Sequence, residues 1–311
     1  MSALPPTVRV AAVQAAPVFL DRTASVARAA DLIAEAGSRG VQLLGFPEGF
    51  VPGHPGWVEL QPFDLRAQDL GRRLFAEAVE VDGDHLDPIR DACRDHRLTA
   101  VLGICERRPG TTGTLFNSQV HVDPDGAISC HHQKFVPTIG ERIVHAPGTT
   151  GTSNSSPWAG GTVTSLICGE NSHPMAQYLS SLRYPTVHVA SWPQHFSPEL
   201  AMREAIRVAS RGLAYSLKTF VLNSVTTISA GMIEAYGYGG AEEYLGDPAS
   251  SGRASVVAPW GEILVEAEDD AEQLVVIDID PSAVVVPKMV HDVAGHYDRP
   301  DVWRSVLDTH G

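Results

Sequence analysis

The chain has 311 residues, 43% of them hydrophobic, and a formal net charge of −14. That length and apolar content suffice for one large domain or two small ones with a buried core, and they exclude a disordered or fibrous chain. The acidic balance and the lack of a basic run exclude a nucleic-acid surface, which needs lysine and arginine against phosphate; a small-molecule partner is expected instead.

In chain order, VRVAAVQA (8 to 15) is a valine-rich strand and residues 22 to 38 carry apolar residues at helical spacing before Gly40. VQLLGF (41 to 46) is strand-like, LGRRLFAEAV (70 to 79) and HLDPIRDACRDHR (85 to 97) are helix-like, and LTAVLGICE (98 to 106) returns to strand. Residues 115 to 134 hold two β runs around Asp123-Pro124-Asp125-Gly126, a hairpin signal that brings antiparallel pairing into the sheet. A loop rich in glycine, serine and threonine (147 to 161) precedes the strand TVTSLIC, the helix HPMAQYLSSLRY, the strand PTVHVAS (185 to 191), a long helix over 198 to 218 and the strand TFVLNSV (219 to 225). A second hairpin-like stretch, 253 to 267, turns at Pro259-Trp260-Gly261-Glu262, and QLVVIDID (273 to 280) is the last strand. The pattern predicts one α/β domain with a mixed sheet over residues 1–280, followed by a tail, 281–311, without clear structure of its own that suits subunit contacts.

The start of the chain lacks a basic region followed by a long apolar core, and no window reaches the roughly 18 uninterrupted apolar residues of a membrane span, so a cytoplasmic protein that does not enter membranes is expected. Cys93, Cys105, Cys130 and Cys168 are widely spaced with no C-x-x-C, which predicts free thiols rather than a zinc site or a disulfide framework. No metal site is expected at His131 and His132, because neighbours on a strand face opposite ways.

Three reactive residues stand just beyond strand-like runs. Glu48 follows VQLLGF, Lys134 follows AISCHHQ and Cys168 follows TVTSLI. In α/β sheets, sites gather at the carboxyl ends of strands, so a carboxylate, an ammonium and a thiol are expected to share one crevice. Their chemistry is complementary. A thiolate nucleophile is favoured by a neighbouring ammonium. Glu48 suits a general base that takes the thiol proton and later activates water. Lys134 and the Gly169 N–H suit the negative charge that develops on the attacked group. Taken singly, each has an ordinary reading as a loop carboxylate, a surface lysine or a buried thiol.

Together, Glu48 in FPEGF, Lys134 in HHQKFVPTIGER and Cys168 in LICGEN resemble the Glu, Lys and Cys of the nitrilase superfamily of carbon-nitrogen hydrolases. The resemblance runs from VRVAAVQAAPVFLD to GHYDRPDVW, and FPEGFVPGHPGW, HVASWP and GHYDRPD are similar to the true nitrilase branch. It implies a four-layer α-β-β-α sandwich with mixed sheets, which dimerises through helices on one face and builds longer spirals. It also implies no cofactor, hydrolysis of a nitrile to the acid and ammonia through a thioimidate and an acylenzyme, and Glu141 as a second glutamate that positions the lysine. His54, Trp57, His145, Gly169 and Trp192 fall around the substrate pocket by the same resemblance. Gly169 and His145 stand where tryptophans are usual and His54 where tyrosine is. Those exchanges imply an altered pocket, since each large aromatic buries about 150–250 Å². An amidase or N-carbamoyl hydrolase of the same superfamily, and a catalytically silent assembly subunit, are the competing readings. Glu170 is expected to be a structural hydrogen-bond partner.

Overall fold

Valine and isoleucine crowd at Cβ and favour extended backbone, whereas alanine and leucine at helical spacing favour helix. The computed structural model, which describes residues 5–195, 200–237 and 241–310, follows that division. The first half runs β1 (Val8–Gln14), α1 (Arg22–Ser38), β2 (Leu43–Gly45), α2 (Trp57–Leu60), α3 (Leu65–Glu77), α4 (Asp87–His96), β3 (Thr99–Arg107), β4 (Leu115–Val122) and β5 (Ile128–Gln133). The second half continues with β6 (Ser155–Trp158), β7 (Gly161–Ile167), α5 (Pro174–Ser181), β8 (Val187–Trp192), α6 (Met202–Leu217) and β9 (Phe220–Val225). It ends with α7 (Ala230–Tyr236), α8 (Ala241–Leu245), β10 (Ser255–Val257), β11 (Ile263–Glu266), β12 (Gln273–Ile279), α9 (Val285–Val290) and α10 (Pro300–His310).

Caps mark several boundaries. The Asp21 carboxylate accepts from the Ala24 N–H at the start of α1, and that of Asp64 accepts from Arg66 and Ala67 at the start of α3, which therefore begins earlier than its apolar pattern suggests. Both expected hairpins form, β4 with β5 and β10 with β11, and Gly126 and Gly261 take positive φ in their turns. Two expectations differ from the structure. The serine-rich loop contains β6, held as an edge by β7. The tail after residue 280 is helical in α9 and α10, and the Lys288 ammonium on α9 donates to the Leu217 carbonyl at the end of α6. The long helix expected from residue 198 is observed from Met202; residues 198 and 199 lie outside the described residues.

The strands divide into two halves, β12-β1-β2-β3-β4-β5 and β6-β7-β8-β9-β10-β11, joined by a single parallel pairing of Gln14 with Val225. Each half is parallel at its centre and antiparallel at its flanks. Helices α1 and α4 cover one outer face, where Val26, Ile33 and Ile89 pack on Val13, Leu44 and Leu102. Helix α6 covers the other, where Met202, Ile206 and Leu213 pack on Ala190, Val221 and Val225. Between the sheets, Val10, Leu43 and Val101 meet Val163, Val189 and Leu222. These are the four layers of an α-β-β-α sandwich. The sheets approach closely at Gly45, where a Cβ would lie 2.8 Å from both Val189 and the Ser224 hydroxyl.

Candidate active site

Strands β2, β5 and β7 all end on one edge of the sandwich, since β5 is parallel to β3 through two antiparallel steps. Glu48, Lys134 and Cys168 stand just past those ends, and all three are buried. The Glu48 loop can lie flat on β3 only because residue 103 is glycine: a Cβ there would sit 2.1 Å from the Pro47 carbonyl. The Lys134 backbone N–H donates to the Asn117 carbonyl at 2.8 Å, fixing where the lysine leaves β5. Seven residues on, the turn Ile139–Ile143 carries Glu141 back toward it, and Oε2 of Glu141 accepts from the Thr138 N–H at 2.9 Å.

The lysine is clamped. Its Nζ donates to Glu48 Oε1 at 3.0 Å and to Glu141 Oε2 at 2.7 Å. Asn117 Nδ2 donates to Oε1 of the same two glutamates, at 2.6 Å each. Burial works against the ammonium, but Glu48 and Glu141 outweigh it and hold Lys134 above its ordinary value. Burial also works against the Glu141 carboxylate; the hydrogen bond from His145, with Lys134 beside it, pulls the group far below its usual range. Glu48 differs from Glu141 in one respect: its Oε2 has no hydrogen-bond partner among the described residues.

Cys168 opens the turn after β7 with φ +48°, a left-handed conformation uncommon for a side chain other than glycine. Its carbonyl accepts from Asn171 Nδ2 at 3.0 Å, and Asn171 Oδ1 meets His188 Nε2 at 2.9 Å. Glu170 ties this turn to the lysine loop: its Oε1 accepts from the Phe135 N–H at 2.7 Å, and its Oε2 accepts from the Ile167 N–H at 3.0 Å. Burial pushes the Cys168 thiol up, Glu48 and Glu141 add to that, and Lys134 and the Gly169 N–H oppose it without reversing it. At rest the group is a thiol beside two carboxylates, so attack requires a base to take its proton.

The three residues face a cleft holding about 710 Å³ of empty space, its open mouth included. Leu60, Ile228, Met232, Tyr236 and Leu245 supply apolar wall, and His54, Thr138, Gln194, His195 and Thr226 supply polar atoms. Burial lowers His195 to about 4, against the pull of Asp247, so its ring is neutral and packs edge-on to Tyr244 at 4.9 Å. The Tyr236 hydroxyl donates to the His54 carbonyl and so pins the loop that carries Glu48.

A family model described as carbon-nitrogen hydrolase matches residues 9–286. An arylacetonitrilase of Hypocrea virens is 32% identical over 96% of this chain and 91% of its own length, and a cyanide hydratase of Gibberella baccata is 30% identical over 97% and 86%. Nit3 of Saccharomyces cerevisiae, a member of branch 10 of the nitrilase superfamily, superposes with a TM-score of 0.72 at 18% identity, covering 95% of this chain and 98% of that one. The chain belongs to the carbon-nitrogen hydrolase family.

Within this carbon-nitrogen hydrolase, Glu48, Lys134, Glu141 and Cys168 share one cleft and His54 lines it, with Nδ1 3.8 Å from Glu48 Oε1. Four other residues placed around the pocket by resemblance are not among its described lining residues, though each stands next to one. Trp57 lies behind the wall, edge-on to Phe19 and packed on Tyr236. Trp192 points to the outer face of its sheet, into the layer under α6, and donates to Asn223. His145 sits behind Glu141. Gly169 faces a separate surface groove with Phe135, Ile139 and Met175, where an added Cβ would make only ordinary contact with Thr138 at 3.5 Å. His131 and His132 diverge, one to Glu106 and the other to Glu170. Sequence reasoning missed Asn117, whose one available signal is an asparagine inside a strand, where that residue is depleted.

Proposed function

We propose that this carbon-nitrogen hydrolase converts an organic nitrile to its carboxylic acid and ammonia, with Cys168 as nucleophile, Glu48 as proton-transfer group, Lys134 as the cation at the reacting carbon and Glu141 as the anchor of that lysine. One observation carries the reading: a buried lysine held between two glutamates beside a buried thiol, in a single cleft. The names of the relatives, an arylacetonitrilase and a cyanide hydratase among them, support a nitrile as the group attacked.

The free Oε2 of Glu48 takes the Cys168 proton as sulfur bonds to the nitrile carbon, and the proton passes to the nitrogen to give a thioimidate. Water, deprotonated by Glu48, adds to that carbon; the tetrahedral adduct expels ammonia and leaves an acylenzyme. A second water releases the acid and returns the proton to sulfur. Lys134 donates to the substituent on which negative charge gathers, and because Glu48 and Glu141 fix it in advance the site has little to rearrange during reaction. The apolar wall favours a nitrile with an aryl or alkyl body.

The same cleft could serve an amide, and structural neighbours include amidases. Incubating the protein with matched nitriles, amides and N-carbamoyl compounds, and quantifying ammonia, acid and amide, separates these readings. Rapid amide turnover with inert nitriles would overturn the proposal, and a Cys168 no more reactive toward iodoacetamide than Cys93 would favour a silent subunit.

The proposal extends to assembly. Met175, Leu182, Val208 and Tyr215 on and beside α5 and α6, with Trp303, Val306 and Leu307 on α10, are exposed apolar residues suited to a homodimer or a longer spiral. Light scattering that gives a monomer at micromolar concentration would remove that part. Cysteines that are free throughout suit the reducing cytoplasm. Among the described residues no helix is long and apolar enough to cross a membrane.

A further inference from the structure

Behind Glu141, on the side away from the cleft, lies a pair of residues that the proposed chemistry does not use. Cys105 on β3 stands directly across from Asn117 on β4, and His145 follows the Glu141 turn and bridges to Leu115, the first residue of β4. All are buried. The Cys105 sulfur lies 3.3 Å from His145 Nε2, and His145 Nδ1 lies 3.0 Å from Glu141 Oε1. The latter oxygen also accepts from Asn117, while Oε2 is held by Lys134 and by the Thr138 N–H.

Proton positions follow from chemistry. A carboxylate only accepts, so His145 Nδ1 carries hydrogen. Burial lowers His145, and His54 and Lys134 add to that against the opposing pull of Glu141; the ring is therefore neutral and its Nε2 is an acceptor. Burial raises Cys105 well above its usual range, with Glu106 and Glu141 adding to the effect, so its thiol keeps the hydrogen that Nε2 needs. The chain of donors runs one way, from Cys105 S–H to His145 and from His145 N–H to Glu141.

We propose that Cys105 and His145 are positioning residues: the Cys105 thiol fixes the His145 tautomer, and the His145 Nδ1–H completes the set of donors that locks Glu141, and through it the Lys134 ammonium, in place. Neither touches the substrate. The inference rests on the reading of Lys134 and Cys168 as reacting groups. It gives His145 a role that depends on one N–H at one place, which an indole at that position would have to supply from different geometry.

The test uses the full chain with His145→Asn, His145→Leu, Cys105→Ser and Cys105→Val. Asparagine can place an amide N–H close to the position of His Nδ1, whereas leucine fills similar space and donates nothing. With an arylacetonitrile that the unmodified protein hydrolyses, His145→Leu should lower kcat about 10- to 100-fold, the scale of a hydrogen bond to a charged group, with KM within about 2-fold. His145→Asn should recover most of that loss, Cys105→Ser should stay within about 3-fold, and Cys105→Val should fall between. Carbamidomethylation of Cys168 by iodoacetamide, read by intact mass, should slow about 10-fold in His145→Leu, since a displaced ammonium stabilises the thiolate less.

Equal losses in His145→Asn and His145→Leu, tracking melting temperature, would overturn the proposal in favour of packing; a raised KM at constant kcat would overturn it in favour of substrate contact. Should the protein hydrolyse no nitrile, the alkylation rates still decide the relay while the nitrile reading alone fails. Should His145→Leu not fold, the Asn variant and the Cys105 pair carry the same decision.

Discussion

A buried polar cluster between the sheets and another at their carboxyl edge are built to different rules. Between the sheets, His121 meets Ser156 and Ser165 at 2.8 Å each, and His188 meets Thr164 at 2.8 Å and Asn171 at 2.9 Å. Both rings have each nitrogen partnered, and burial lowers both to about 3, so the rings are neutral, and Asn171 links His188 to the turn that carries Cys168. At the edge, two carboxylates hold an ammonium by direct hydrogen bonds beside a thiol, and an oxygen of Glu48 is left without a partner among the described residues. A neutral network with its ring nitrogens partnered helps to specify how sheets align; a charged network with an unpartnered carboxylate oxygen carries a cost that marks it as a candidate for chemistry.

The largest way to break the comparison is Cys168→Ala. Turnover should fall by at least about 1,000-fold, as for loss of a covalent nucleophile, while thermal stability is unchanged or raised; ordinary nitrile hydrolysis by this variant would refute the covalent route. Lys134→Met comes next, because it leaves Glu48 and Glu141 facing one another without a cation. Chemical denaturation should show a loss of about 3–5 kcal/mol, and a variant as stable as the parent would mean that the edge cluster is not held by charge pairing. Asn117→Leu removes one donor from both glutamates. We expect kcat to drop about 10- to 100-fold with KM little changed, and a selective KM effect would move Asn117 onto the substrate side.

The neutral cluster should answer in the opposite sense. His121→Leu should cost about 1–3 kcal/mol by leaving Ser156 and Ser165 unpaired, with kcat held within about 2-fold. It also sharpens a pH prediction. His121 and His188 have folded values near 3, below the unfolded value, so between pH 6.5 and 3 the unfolded chain binds more protons. Stability should therefore fall as pH drops through that window, by on the order of 1 kcal/mol per pH unit for each histidine. Denaturant midpoints measured across it should show a shallower slope in His121→Leu, and an identical slope would place the titration elsewhere.

How much of the site was legible depends on the residue. Glu48, Lys134 and Cys168 stand out because each follows a strand-like run, and parallel connection brings such ends to one edge. Asn117 and Cys105 do not stand out, because they face each other across β3 and β4 and owe their partners to register. Trp57 and Trp192 take core positions that were not legible for a related reason: proximity in sequence to Glu48 or to a strand end does not say which face a side chain takes. Strand β8 is buried along its whole length, so VHVASW shows no alternation that would have turned Trp192 outward to the layer under α6.

By itself the sequence determined the α/β class, most of the strands, both hairpins and the family, and it singled out Glu48, Lys134 and Cys168 as candidates, because these rest on local propensity and on short motifs whose chemistry is intrinsic to the residues present. The tertiary structure decided the rest. Only packing could say that Glu141 receives a proton donor from His145, that Glu170 joins two loops, that the tail is helical, and that two tryptophans belong to the core. Glu141 and His145 lie only four residues apart, yet their contact depends on the short turn that packing imposes there; Glu170 and the two tryptophans owe theirs to segments far apart along the chain, which leave no period or spacing in the sequence to read.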